Sequence, residues 1–294
     1  MKPVITPKKH SEQKVAFLFL LPALLAFALF KYYPIFQGIF VSFFKINIVE
    51  FPGEFVGFDN YFRAFKDQDF YSSLLHNFYF WGVGLILAFW PPILLAMLIN
   101  EIRIFKTFMK LVYFIPAVAP SIAVTVLWKY AWQPDYGFAN YILGLFGLPY
   151  QLWLNEPNLV YWCMYFPGLV VAGGMNMLIY LASMQEIPEE QYEAAMMEGA
   201  GFIHRIWYIT IPRILPVIKI MFVLDLIAKA NEETTPLVMT GGGPIGATQT
   251  LILYAYKIAF NSQDYSYAIT LANIVFIMVF VITAIQMKLT SKKD

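Results

Sequence analysis

The fold turns on residues 193–216, EAAMMEGAGFIHRIWYITIPRILP, the longest strongly amphipathic piece of a chain that is otherwise mostly apolar. Just upstream, Pro188 fits the first turn of a helix, where its missing N–H costs nothing. Glu189 and Glu190 then occupy that turn, where the helix dipole favours negative charge. Tyr192, Ala195, Met196 and Gly199 follow i, i+3, i+4, i+7 spacing and share one face. Gly199 and Gly201 are expected to end this short helix. A second run over 202–210 follows, and Pro212 is expected to interrupt it. The stretch reads as helix, glycine turn, helix, and its short apolar-faced first arm suits docking into a partner.

Composition says what the hairpin is attached to. The 294 residues are 60% hydrophobic and only 13% charged, with a mean hydropathy of +0.61. A soluble domain averages roughly 45–50% apolar and about 25% charged. The excess of apolar residues runs along the whole length, which makes this an all-α polytopic membrane protein. A net charge of +1 argues against nucleic acid, which requires a basic patch. The single Cys163 excludes an intrachain disulfide and a Cys-rich metal site, and His10, His76 and His204 are scattered. The apolar run 16–30 continues into aromatics rather than a small-residue cleavage site, so it reads as an uncleaved first span.

Six spans of about 20 residues are expected over 15–36, 77–100, 107–132, 159–182, 214–235 and 265–287. Pro91-Pro92 is expected to kink the second, and Pro116 and Pro120 lie in the third. Between spans lie a polar loop 45–76 with a surface helix over 59–66, and a loop 133–157 rich in Gly, Pro and aromatics. A loop 236–263 holds the turn Gly241-Gly242-Gly243-Pro244 and an interfacial helix over 250–260. Lys and Arg near span ends are denser on one side, with Lys8, Lys9, Lys14, Arg103, Lys106, Arg205, Arg213 and Lys288 among them, than on the side of Lys45, Arg63, Lys129 and Lys257. The denser side is cytoplasmic by the positive-inside rule. Both termini and the hairpin then face the cytoplasm. The organisation is a tail 1–14, one transmembrane domain 15–288 with the hairpin loop 183–216, and a tail 289–294.

Two features carry chemistry. The hairpin's Glu193-Ala194-Ala195, then Gly199, Ile209 and Pro212, resembles the EAA loop of bacterial ABC-importer permeases; Glu198 and Ile211 stand where aspartate and leucine are usual. Thr240 to Pro244, followed by Thr250-Leu251, Tyr254, Tyr256 and Ala259-Phe260, resembles the sugar branch of maltose and glycerol-phosphate type, and within it the first permease of the pair. The resemblance covers essentially the whole chain and implies a type I importer permease fold in a bacterial inner membrane. It implies a second permease, two ATPase subunits and an extracytoplasmic solute-binding protein as partners, alongside a sugar substrate and membrane lipid. The chain has no G-x-x-x-x-G-K-[ST] loop, so ATP and Mg belong to the separate ATPase and the chain itself carries no cofactor and does no chemistry. In this family the helix over 188–198 couples to the ATPase: Glu193 for a basic residue of its cleft, Ala194 and Ala195 for thinness, Met196 and Met197 for adaptable apolar contact, Gly199 for the turn.

The second feature is a polar stripe in the fifth span. Asp225, Lys229 and Glu232 are spaced i, i+4, i+7, which places them on one helix face. Ionisable groups inside a span are functional candidates because lipid exposure is costly. Carboxylates and an ammonium together suit sugar hydroxyls, which both donate and accept. The resemblance points to the same helix and adds the preceding span, with Gly168, Ala172 and Met175 lining a sugar site and Tyr165 and Asn176 nearby. One departure stands out: the sugar branch often has an aromatic–aspartate pair where this chain has Glu233-Thr234. The alternative for Asp225–Lys229 is a neutralising pair at a permease interface, and for the glycines, helix packing. The rival functions are an ion-coupled secondary transporter using Asp225, a membrane-embedded enzyme, and the same importer family carrying a peptide or cation.

Overall fold

The computed structural model describes residues 9–46, 51–102, 104–171 and 173–291, and it is mostly helical with almost no sheet. The chain divides into two compact units, Met1–Lys66 with Ile258–Asn273, and Asp67–Lys257 with Ile274–Asp294.

In the first unit a helix runs from Lys9 to Val41, and none of its most apolar window is buried. Those side chains face outward, as a lipid-solvated helix requires. A two-residue ladder follows, pairing Phe44 with Phe55 and Lys45 with Glu54. The short helix Asp59–Ala64 buttresses it: Asn60 donates through Nδ2 to the carbonyls of Ser42 at 2.8 Å and Phe44 at 3.1 Å. Arg63 pairs with Asp264 and lies 4.0 Å from the centroid of the Tyr267 ring.

The second unit begins at Asp67, whose carboxylate accepts from the Asp69 N–H at 2.9 Å and caps a helix that continues to Glu101. This helix starts at Gln68, nine residues before the expected start at 77. Hydropathy marks only the apolar core of a span, whereas a side-chain cap stabilises the polar turns before it. Pro91-Pro92 does not break the helix. A π-turn over Leu85–Phe89 precedes it, and the same device recurs at Ala28–Tyr32 before Pro34 and at Ile206–Thr210 before Pro212. In each case the π-turn ends two residues before the proline. A proline ring collides with the carbonyl four residues back, and the wider π-turn opens that space without ending the helix. The expected interruption at Pro212 is therefore replaced by a continuous helical path from Phe202 to Ala230.

The expected third span is broken: Lys106–Val118 and Ser121–Ala131 meet at 93°. Ala119, at ψ 144, is extended, the conformation that a following proline imposes. The fourth is also bent, with Val160–Val170 and Gly174–Gln185 at 50°. Among the described residues, three helices are long and apolar enough to cross a membrane, Lys14–Val41, Gln68–Glu101 and Tyr265–Lys288, and the bent pairs raise this to five. Ile211–Ala230 has 20 residues, or about 30 Å of helix. It carries Arg213, Lys219, Asp225 and Lys229, so it passes on length and not on composition.

The core of the second unit joins three helices. Phe89, Ile93, Ala96 and Ile99 pack with Met177, Tyr180, Leu181 and Met184, and with Ile214 and Met221. These residues hold Ile211–Ala230 against its two neighbours.

Candidate functional site

The hairpin is built by its caps. Its first helix is Glu189–Met197, with Pro188 at the N-cap rather than inside the first turn, and Glu198 at the C-cap. Gly199 has φ +85, the left-handed conformation that favours glycine. Its N–H donates to Met196 at 3.0 Å and the Ala200 N–H donates to Ala195 at 2.9 Å, so the last carbonyls are satisfied. Gly201 then caps Phe202–Arg205. The arms are tied by Tyr192 and Thr210, hydroxyl to hydroxyl at 2.9 Å. Arg205, 12% exposed, anchors the second arm to Glu101 at 3.0 Å.

The hairpin's outer surface carries Glu193, Ala194 and Met197, one face of the helix, with Met197 89% exposed. Met196, Glu198, Gly199 and Pro212 are also exposed, while Ala195 and Ile209 are half-buried. Behind it lies a cavity of about 860 Å³ lined by Glu101, Lys106, Glu189, Glu193 and Arg205 among others. Of the residues expected to dock, Ala194 and Met197 are exposed and line no described cavity, Glu193 and Met196 are exposed and also line that cavity, and Ala195 is half-buried.

The second site sits in the same unit. A cavity of about 260 Å³ is lined by Phe80, Tyr165, Gly168, Asp225, Lys229 and Glu232, with Met164, Ala228 and Thr235. Lys229, whose side chain is 10% exposed, donates to Asp225 Oδ1. Its Nζ lies 5.9 Å from the centroid of the Tyr165 ring. The Tyr165 hydroxyl is buried and has no hydrogen-bond partner in the structure. Glu232 does not continue the stripe: the helix ends at Ala230, with Asn231 as its C-cap. The chain turns, and Glu232 reaches the same cavity from the loop while accepting from the Thr235 N–H at 2.8 Å. That bond anchors the next helix, Thr234–Thr240.

Met175 lines a neighbouring cavity of about 390 Å³ together with Asn176, Pro116 and Thr125. Met164, Gly168 and Thr235 line both cavities. Ala172 lies outside the described residues. Lining residues such as Phe80, Met164, Ala228 and Thr235 escape the sequence reading. Phe80 comes from the preceding helix and has no polar signal. Gly84 lines no cavity but makes one possible: a Cβ there would lie 2.7 Å from the Tyr165 hydroxyl and collide with Lys229 Cε. The two cavities are near the small-molecule scale of roughly 300–1,000 Å³. The first offers one ammonium, two carboxylates and a free phenol, a set able to both donate to and accept from a ligand.

Comparison with known proteins gives the family of the chain. Residues 92–292 match the family described as binding-protein-dependent transport system inner membrane component. The probable ABC transporter permease protein YurN of Bacillus subtilis is 30% identical over 283 residues, covering 95% of this chain and 97% of that protein. The sulfoquinovosyl glycerol transport system permease protein SmoG of Agrobacterium fabrum is 28% identical, covering 96% and 92%. A solved bacterial alginate ABC transporter, in complex with an alginate pentasaccharide-bound periplasmic protein, superposes with a TM-score of 0.83 at 22% identity, covering 94% of this chain and 93% of that one. That likeness gives the fold; the family match and the similarity to YurN show that the chain belongs to the binding-protein-dependent transport system inner membrane components.

Proposed function

We propose that this chain is a permease subunit of a bacterial ABC importer for a neutral sugar or oligosaccharide. A separate ATPase, present twice and holding ATP and Mg, drives it through the hairpin. A second permease completes the pathway and an extracytoplasmic solute-binding protein delivers the cargo. The hairpin and both termini face the cytoplasm, and the chain sits in the inner membrane.

The observation that carries this reading is the unbroken helical path from Phe202 to Ala230. One end is an arm of the exposed hairpin; the other holds Asp225 and Lys229 in the cavity. A helix of 29 residues is roughly 40 Å long and transmits displacement along its axis. Closure of the ATPases on the hairpin therefore moves the cavity wall directly. The descriptions of SmoG and of the solved transporter name sulfoquinovosyl glycerol and alginate, which supports a carbohydrate cargo; both of those bear acidic groups, so the neutral class rests on the charge of this cavity. The charge in the cavity narrows it further. Asp225 and Lys229 neutralise each other and Glu232 remains, so an anion meets net negative charge whereas hydroxyls find donors and acceptors.

Reconstitution in proteoliposomes tests this. Uptake of a labelled neutral saccharide is expected to require ATP, the ATPase and the binding protein. Glu232→Gln is expected to lower that uptake several-fold and to let an acidic sugar analogue compete. Uptake that persists without the ATPase and collapses with the ion gradient would transfer the chain to the secondary transporters.

A further inference from the structure

In the first unit the short helix Asp59–Ala64 turns its polar side inward. Asn60 and Ala64 are buried, whereas Phe58 and Phe62 are 61% and 60% exposed. Phe55, on the ladder strand before them, is 67% exposed. Asp59 and Arg63 stand beside these rings and are exposed as well. The helix is nevertheless held firmly at both ends. Asn60 binds the Ser42 and Phe44 carbonyls, and the Tyr61 and Ser42 hydroxyls meet at 2.8 Å. Ser42 directly follows the helix Lys14–Val41. On the other side Arg63 pairs with Asp264, whose carboxylate also accepts from the Tyr267 N–H at 3.1 Å, at the start of the helix Tyr265–Ser291. The short helix is therefore clamped between the end of one helix apolar enough to cross a membrane and the start of another.

We propose that Phe55, Phe58 and Phe62 form an anchor in the bilayer interface, seated among the glycerol and upper acyl groups of phospholipid. Their place is set by the clamp. A helix of six residues is about 9 Å long, and the interfacial layer of each leaflet is about 5–8 Å thick. Tied to the ends of two such helices, the rings stay close to that layer. The patch is also continuous with a lipid-facing surface. None of the most apolar window of Lys14–Val41 is buried. Phe40, exposed on that helix, lies 4.8 Å ring to ring from Phe44, and Phe44 lies 5.2 Å from Phe55. Charge decides between lipid and protein as the occupant. The core of a protein interface is depleted of charged residues, yet Asp59 and Arg63 alternate with these rings. An interfacial helix sinks its rings and leaves its charges among water and headgroups. The anchor needs only a bilayer, which an inner membrane component has, and it stands whatever the cargo. Through Arg63 and Asp264 it fixes the depth at which Tyr265–Ser291 begins.

The test uses the full chain in phosphatidylcholine nanodiscs. A fluorophore is placed on Phe58→Cys or on Phe62→Cys; Cys163 is buried and gives little background. A label on Met197→Cys, at the exposed tip of the hairpin, is the water-facing reference. Lipid brominated high on its acyl chains is expected to quench both phenylalanine-site labels several-fold more than the reference, and more than lipid brominated near the chain ends. The two positions are read in separate chains, so failure of one variant to fold leaves the other decisive. Quenching no stronger than at Met197 overturns the proposal. So does stronger quenching by the deep bromines, which places the rings in the hydrocarbon core. Labels that lipid leaves bright, and that are shielded only when a second permease or a solute-binding protein is added, assign the patch to a protein and overturn it too. Neither readout involves uptake or ATP, so the anchor and the importer reading fail separately.

Discussion

Lys229 is an ammonium with 10% of its side chain exposed, and Asp225, at 19%, is its ion partner. Removing one member of such a pair strands the other, at a cost of about 3 kcal/mol or more, whereas removing both is far milder. Asp225→Ala is therefore expected to lower the melting temperature of the purified subunit and to abolish uptake. Asp225→Ala with Lys229→Met is expected to recover the stability without recovering transport. Stability that stays low in the double variant would mean that Asp225 serves the fold in some other way. Gly84 makes a second residue-scale case. The Cβ of Gly84→Ala would push into the Tyr165 hydroxyl and the Lys229 stem, and overpacking of this kind costs about 1–3 kcal/mol. We expect at least a ten-fold loss of uptake with assembly intact, read by co-purification of the partner subunits; Gly82→Ala, which meets open space, is the control. The sequence exposes Asp225 and Lys229 because charge in an apolar run is conspicuous. It hides Gly84, since a glycine that admits a lysine from another helix looks like any other glycine until the Cβ position is known. It misplaces Glu232 on the helix because spacing alone cannot see that Asn231 ends it.

At the scale of elements, prolines are the least legible residues of this sequence, and for one reason. A proline is equally compatible with a break, a kink or a π-turn. Pro120 produces the break, with Ala119 extended before it and a 93° bend. Pro91 and Pro212 follow π-turns and let the helix continue. Packing decides between these outcomes: Ile214 and Met221 are buried against Ile93 and Met184, which keeps the helix after Pro212 aligned with its neighbours. The hairpin turn, by contrast, is legible, because Gly199 is the residue that a left-handed C-cap favours. Gly199→Ala places a Cβ in that conformation, worth roughly 1–2 kcal/mol. It is expected to loosen coupling, seen as ATP hydrolysed per sugar imported rising at least two-fold. Gly199→Pro also removes the N–H that donates to Met196 and is expected to uncouple fully. Glu193→Lys, on the exposed face, is expected to weaken ATPase association with no change in thermal stability. Wild-type coupling in all three variants would remove the hairpin from the transmission path.

At the scale of the whole molecule, class and composition were legible because a bilayer imposes them: a chain 60% hydrophobic and 13% charged has few other solvents. The span count is harder to read, since two spans are bent and Ile211–Ala230 carries four charges. Those charges are what a cargo pathway needs and what a hydropathy window rejects. Sidedness rests on the Lys and Arg bias, and topology gives it a sharp test. If all six segments cross, the hairpin lies on one face and the loop 133–157 on the other. Met197 is 89% exposed in the hairpin and Phe146 76% exposed in that loop. Cys163 is buried, so a cysteine introduced at either position is the reactive thiol. In right-side-out vesicles a membrane-impermeant maleimide is expected to label Phe146→Cys and spare Met197→Cys, and inverted vesicles should reverse the pattern. Labelling of both from one side would show that the one segment between the two positions fails to cross. The bent helix Lys106–Val118 with Ser121–Ala131 lies outside that interval, so the segment in question is Val160–Gln185 alone.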